Sequence, residues 1–159
     1  MRQFKILLGT LFGAGYLPRA PGTWGSLFTL PFIYLFYWVS PQYGLPLFLL
    51  ITIILSLWTT SECVGKFGKD PPSFVMDEAA GQTVVFMATA FHFTLLPDLI
   101  ILLTGFLLFR AFDIIKPLGI DKLEEIKGKY GILADDLMAG FYALIFLEGS
   151  ILMYQLLPL

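Results

Sequence analysis

The sequence predicts an all-α, polytopic membrane protein. It should have about five membrane segments, an N-terminal interfacial or re-entrant helix and a short amphipathic cytoplasmic helix. Three observations predict this. The 159 residues are 57% hydrophobic and 16% aromatic, with only 14% charged; a soluble domain carries about 25% charged residues. Mean hydropathy is +0.80. The apolar runs are broken at intervals by short turns or charged loops, and the basic residues fall in only some of those breaks. The length fits a single domain over 1–159. Net charge is −2, and no basic run is interleaved with aromatics on a water-facing segment, so no nucleic-acid partner is implied. The single cysteine, Cys63, has no partner for an internal disulfide and reads as a small packed side chain.

The elements follow in order. "MRQFKILLGTLFGAG" has two positive charges, a short apolar run and small residues, which imitates a secretory leader. No A-x-A site follows and Arg19 comes soon after. The run is too short to span a bilayer, which needs about 20 residues. An interfacial or re-entrant helix is expected. Five apolar segments follow, at about 24–39, 45–60, 78–96, 99–112 and 136–157. "SPQYG" at 40–44 and Pro97-Asp98 supply tight turns. Several segments are short for a full span. In the loop at 113–135, Ile120, Leu123 and Ile126 recur every three residues among charges. This pattern predicts a short helix on the membrane surface, ended by Gly128 and Gly131.

Each short turn reverses direction, so the N-terminal stretch and the loops at 61–77 and 113–135 share one side. All ten Lys and Arg residues fall there: Arg2, Lys5, Arg19, Lys66, Lys69, Arg110, Lys116, Lys122, Lys127 and Lys129. By the positive-inside rule that side is cytoplasmic. Among the acids, only Asp98 and Glu148 lie elsewhere.

The same threading brings distant acids to one depth. Asp77 and Glu78 begin the third segment, Asp113 ends the fourth, and Asp135 and Asp136 begin the fifth. A glycine stands four residues after Asp77, at Gly81, and four after Asp136, at Gly140. Residues four apart share a helix face, and small residues on that face let helices approach closely in a bilayer. The two faces are therefore expected to pack and cluster the acids. Crowded carboxylates repel, and oxygen-only ligands suit a hard cation, Mg²⁺ above all. The bland alternative is that the acids cap helix N-termini, each contributing about 0.3–1 kcal/mol.

Two further stretches offer phosphate contacts. "RAFDIIKP" places Arg110, Asp113 and Lys116 at spacing three; the aspartate can join the metal site while either cation grips a phosphate. "PRAPGTWGSL" offers Arg19, backbone amides near Gly22 and Gly25, and the hydroxyls of Thr23 and Ser26 ahead of a helix start, an arrangement able to bind an anion. In both stretches, charges that satisfy each other, or a turn with an N-cap, would be the structural alternative. Together the parts suggest a metal-dependent site for a phosphorylated lipid headgroup, with the lipid tails left in the bilayer.

"GYLPRAPGTWGSL", "DEAAGQ", "FRAFDIIKP" and "GILADDLMAG" resemble, in order and across residues 16–140, the motifs of the phosphatidylglycerophosphatase A family. The resemblance implies a Mg²⁺-dependent hydrolase that removes the terminal phosphate of phosphatidylglycerophosphate. Its products would be phosphatidylglycerol and inorganic phosphate. It also implies a bacterial inner-membrane location with the active site toward the cytoplasm, and leaves homo-oligomerisation open. Carried onto these motifs, the expected metal ligands are Asp77, Glu78, Asp135 and Asp136. The expected catalytic residues are Asp77, Glu78, Asp113 and Asp136. Arg19, Thr23, Ser26, Arg110 and Lys116 would bind the phosphate.

Other phosphatase chemistries lack their residues. A cysteine phosphatase needs an arginine six residues after the nucleophile, where Cys63 has Lys69; a histidine mechanism needs two histidines, and the chain has only His92. No Asp-x-Asp occurs, and the glycine and aspartate pattern of CDP-alcohol phosphotransferases is missing. Metal-assisted hydrolysis is left, with a free carboxylate as general base or an aspartate as nucleophile. A buried hydrogen-bonded pair between His92 and Glu148 is expected to fix helix register in the outer half. The competing reading is a small transporter or channel with an acidic cation vestibule. Transport sites usually sit near the midplane, whereas these polar groups line one rim.

Overall fold

The computed structural model describes residues 1–69, 71–117, 119–123, 126 and 128–157. Among them there are six α-helices and no strand: α1 (Arg2–Gly9), α2 (Pro21–Val39), α3 (Gly44–Phe67), α4 (Met76–Val84), α5 (Leu95–Ile115) and α6 (Lys129–Leu156). Short 3₁₀ turns span Ala14–Tyr16 and Ile120–Leu123. The all-α expectation holds. Three helices, α3, α5 and α6, with 24, 21 and 28 residues, are long and apolar enough to cross a bilayer. At 1.5 Å per residue they span about 31–42 Å, against a hydrocarbon core of about 30 Å. Large apolar side chains such as Leu50, Ile54, Leu107 and Phe146 stand exposed on their outer faces, where lipid rather than water is the fitting solvent. These three do not confirm the expected count of about five segments; α2 is a continuous helix of 19 residues over the first expected segment.

The third expected segment needs correction. In place of a run from 78 to 96, α4 stops at Val84 after nine residues. It then loosens into turns closed by i→i+3 bonds from Phe86 to Thr83, Met87 to Val84 and Thr89 to Phe86. Thr83, Val84 and Val85 are β-branched and lose side-chain freedom in a helix. Irregular backbone at membrane depth is tolerated only where protein covers it, and Val85, Phe86, Thr89 and Phe91 are buried. Thus α4 is a short central peg enclosed by α2, α3 and α6. Buried residues on it point in every direction.

Three devices let the helices close on this peg. First, hydroxyls that face the interior bond carbonyls of their own helices, as Ser26 does to Gly22, Thr29 to Gly25, Thr60 to Ser56 and Thr83 to Ala79, so they demand no partner across the interface. Second, glycines admit close contact: a Cβ at Gly25 would meet Val75, and one at Gly105 would meet Phe86. Third, α1 braces the entry to α4. Val75 N–H donates to the Gly9 carbonyl at 3.0 Å, and Phe74 packs with Ile6 and Cys63. The N-terminal helix is therefore a structural brace, and Cys63 is the packed side chain the sequence predicts. Its Arg2 and Lys5 both pair with Glu62.

At the end of the bundle away from the acids, Asp98 accepts bonds from the Tyr34 hydroxyl and from the backbone N–H groups of His92 and Thr94. It closes the start of α5 and ties it to α2. The expected His92–Glu148 pair is corrected: Glu148 accepts from Thr89 at 2.6 Å, and His92 lies exposed outside any helix. The irregular stretch after α4 takes His92 off the helix on which the expectation rested. Of the expected surface helix at 120–127, the described part is the turn at Ile120–Leu123; Glu124, Glu125 and Lys127 lie outside the described residues. Gly128 (φ +85°) precedes α6, but Gly131 lies within α6, pressed against the Ile126 backbone.

Candidate metal and phosphate site

The site forms where α4 crosses α6. Gly81 and Gly140 bring the two backbones together: a Cβ on Gly81 would stand 2.5 Å from the Asp136 carbonyl oxygen, and one on Gly140 would strike the Gly81 carbonyl. The glycine spacing in the sequence thus does what it predicts. Asp77 and Asp136, each one turn before a contact glycine, are carried to the same place. Carboxylate oxygens of Asp77, Glu78 and Asp136 lie within 4.8 Å of one another. They line a cavity of about 190 Å³ with Asp113, Lys116, Asp135, Ile132, Pro71, Pro72 and Phe74. That volume is roughly six waters' worth, room for a phosphate and an ion.

Charge pairing sorts the five acids. Arg110 and Asp113 form an ion pair at 2.6 Å on the last turns of α5. Lys116 and Asp135 form another at 2.7 Å between α5 and α6. Among the described residues, five carboxylates against two cations leave three formal negative charges, and the three acids outside these two ion pairs are Asp77, Glu78 and Asp136. Burying an uncompensated charge costs several kcal/mol per ion. Burial, then the neighbouring Glu78 and Asp136 charges, raises the Asp77 carboxyl well above its usual range. Burial likewise pushes Glu78 up to about 7. These groups either keep protons or take a cation.

Helix capping does not account for them. Asp135 and Asp136 are the seventh and eighth residues of α6, which begins at Lys129 rather than near 136; the dipole effect fades beyond the first turn. Asp77 and Glu78 do sit in the first turn of α4, and the Asp77 carboxylate accepts from the Glu78 N–H at 3.0 Å. Glu78 instead reaches toward α2 and α5. A Cβ on Gly22 would collide with its Oε1 and come 3.2 Å from both terminal nitrogens of Arg110.

The expected phosphate ligands separate. Lys116 lines the cavity. Arg110 stands behind it, donating to the Ser26 hydroxyl at 3.4 Å, so Ser26 anchors Arg110 from α2. Arg19 and Thr23 do not line the cavity: Arg19 is exposed in the loop before α2, with left-handed backbone (φ +63°), and Thr23 sits on the first turn. The amides near Gly22 and Gly25 expected to precede a helix lie inside α2, where both glycines are buried. The residue passed over by the sequence reading is Gln82, fully buried one turn after Glu78. Its signal was an amide at i+4 from an acid within an apolar run.

The donor set fits a divalent ion: three carboxylates, no sulfur or imidazole, and one buried oxygen, Glu78 Oε2, that finds no partner among the described residues. Comparison with known proteins then decides the family. The family model described as "PgpA: Phosphatidylglycerophosphatase A" matches residues 7–150. The chain belongs to the phosphatidylglycerophosphatase A family. It is 35% identical over 147 residues to the phosphatidylglycerophosphatase A of Haemophilus influenzae, covering 87% of this chain and 83% of the relative. It is 32% identical over 136 residues to that of Escherichia coli, covering 84% and 76%. A Bacteroides thetaiotaomicron protein is 36% identical over 154 residues, covering 88% and 89%, and bears the name "Putative phosphatidylinositol-3-phosphatase". No solved structure matches the chain. Membership of this family makes the protein a phosphatase and decides against the transporter alternative. With its three candidate membrane helices and bacterial relatives, it is a bacterial membrane protein of the phosphatidylglycerophosphatase A family.

Proposed function

We propose that the protein hydrolyses the terminal phosphate of phosphatidylglycerophosphate in a Mg²⁺-dependent reaction, releasing phosphatidylglycerol and inorganic phosphate. The observation that carries this reading is the trio of buried Asp77 and Asp136 with half-buried Glu78, within 4.8 Å in a cavity that Lys116 also lines. The trio would hold Mg²⁺, with Asp77, Glu78 and Asp136 as ligands. When bound, the ion supplies Lewis-acid charge opposite the phosphate oxygens.

The chain's own groups do the rest. Lys116, fixed by Asp135, meets the non-bridging phosphate oxygens as the charge shifts in the transition state. Arg110, held by Asp113 and Ser26, adds positive potential behind Glu78. Asp113 lines the cavity outside the trio and takes the proton of the attacking water. The water oxygen bonds to phosphorus, the ester P–O bond breaks, and the leaving glycerol oxygen takes the proton from Asp113, departing as a hydroxyl and restoring the carboxylate. In this reading Asp135 positions Lys116 rather than binding metal. Arg19 and Thr23, away from the cavity, steer the approaching headgroup at most. The sorting of basic residues supports a site at the cytoplasmic face of the inner membrane.

The names of the relatives set the test. Purified protein in detergent with Mg²⁺ is given phosphatidylglycerophosphate and, separately, phosphatidylinositol 3-phosphate, and released phosphate is measured. The reading expects kcat/KM to favour the first lipid. Turnover of the second with the first inert would overturn the substrate assignment.

A further inference from the structure

Among the buried polar atoms that find no partner in the described residues, four belong to three side chains of one seam: Glu78 Oε2, both ends of the Gln82 amide, and Arg110 Nε. The placement of α4 explains why they share a seam. Its 77/81 edge meets α6 and its 76/79 edge meets Cys63 and Phe74. Positions 78, 82 and 85, at i, i+4 and i+7, form the remaining edge. Glu78 at one end of that edge lies against Gly22, as do the terminal nitrogens of Arg110, and Val85 at the other end lies against Gly105 of α5. Gln82 lies between them on the same edge of α4.

The four atoms are also chemically matched. Two donate (Gln82 Nε2–H and Arg110 Nε–H) and two accept (Gln82 Oε1 and Glu78 Oε2). A fully buried amide without a partner is costly, and few such groups persist in native proteins without a reason. We propose that Gln82 is a positioning residue: its amide N–H holds Glu78 and its carbonyl holds the Arg110 Nε–H, each through an ordered water. It thereby fixes the carboxylate for the divalent ion and the guanidinium beside it. This rests on the metal-binding reading given under Proposed function.

The test uses Gln82→Met, which keeps the shape and removes the amide. Melting temperature in detergent is followed in chelator and across a Mg²⁺ titration, alongside kcat and KM. Groups that orient metal ligands change affinity or activity by about 10–100-fold when lost. The expected result is a melting temperature in chelator equal to or above wild type, a Mg²⁺ midpoint raised by about 10–100-fold, and a lower kcat at unchanged KM. The midpoint shift should be non-additive with Glu78→Gln in the double variant. A wild-type Mg²⁺ midpoint, or a lowered melting temperature with an additive effect, would overturn the proposal. If Gln82→Met does not fold, Gln82→Asn decides: a weakened Mg²⁺ response supports the proposal and a wild-type response sinks it. If the wild-type protein itself shows no Mg²⁺-dependent stabilisation, the metal reading has failed rather than the role of Gln82.

Discussion

Gly81 and Gly140 touch backbone to backbone, and neither position has room for a Cβ. Every other feature of the site depends on that contact, because it sets how near the Asp77 turn of α4 comes to the Asp136 turn of α6. Gly81→Ala and Gly140→Ala should each destabilise the protein by about 1–3 kcal/mol, the usual range for overpacking, and reduce phosphatase activity further than stability alone explains. Gly149→Ala, in α6 with nothing within 4 Å, should be neutral or stabilising by about 0.5–1 kcal/mol. Melting in detergent and phosphate release check both; equal behaviour of Gly140→Ala and Gly149→Ala would remove the close crossing from the account.

The carboxylates should divide by role. Asp77→Asn, Glu78→Gln and Asp136→Asn each remove a ligand worth several kcal/mol of transition-state stabilisation, so activity should fall by about 10²-fold or more. Their melting temperatures in chelator should not fall, because each substitution relieves buried like-charge repulsion. Asp135→Asn should be milder, acting through the orientation of Lys116. An Asp135→Asn loss as deep as that of Asp136→Asn would make Asp135 a ligand.

Lys116→Met should raise KM for the lipid and lower kcat together, since the ammonium meets the phosphate both before and during transfer. Arg110→Met should lower kcat and also lower the melting temperature, because it leaves the half-buried Asp113 without its 2.6 Å partner. Steady-state kinetics on a soluble short-chain lipid phosphate separate the two.

Stability in chelator should depend on pH with a definite sign. Glu78 is raised from 4.5 to about 7 in the folded protein, so the folded state binds its proton more tightly than the unfolded state. The stabilisation from that proton is fully present below about 4.5 and is lost as pH rises to about 7. Asp77 shifts in the same direction. The melting temperature in chelator should therefore decline across this window. Mg²⁺ should restore it increasingly toward pH 7 and above, because the ion needs the ionised carboxylates. A flat profile in chelator would mean the acids are compensated within the fold.

Much of this was legible in the sequence. Four apolar runs became α2, α3, α5 and α6, and the Asp-x₃-Gly spacing correctly placed Asp77 beside Asp136. The brevity of α4 was not legible, because the run from 78 to 96 has no proline and no acid after Glu78 to mark a break, and only enclosure by α2, α3 and α6 lets irregular backbone follow Val84. The early start of α6 was hidden by Gly128 and Gly131, which read as loop residues. Gly131 is helical, and its missing Cβ makes room for the Ile126 backbone. Pairing of Lys116 with Asp135 and of Arg110 with Ser26 depends on helix rotation, which spacing alone does not fix. Arg19 stays outside the cavity because it falls in the loop before α2.

Mn²⁺ titration followed by electron paramagnetic resonance, on wild-type protein and on Asp77→Asn and Asp136→Asn, tests the shared ion most directly. The account predicts saturable binding to the wild type, displaced by Mg²⁺ and lost in both variants. Wild-type affinity and stoichiometry retained in the two variants would contradict it.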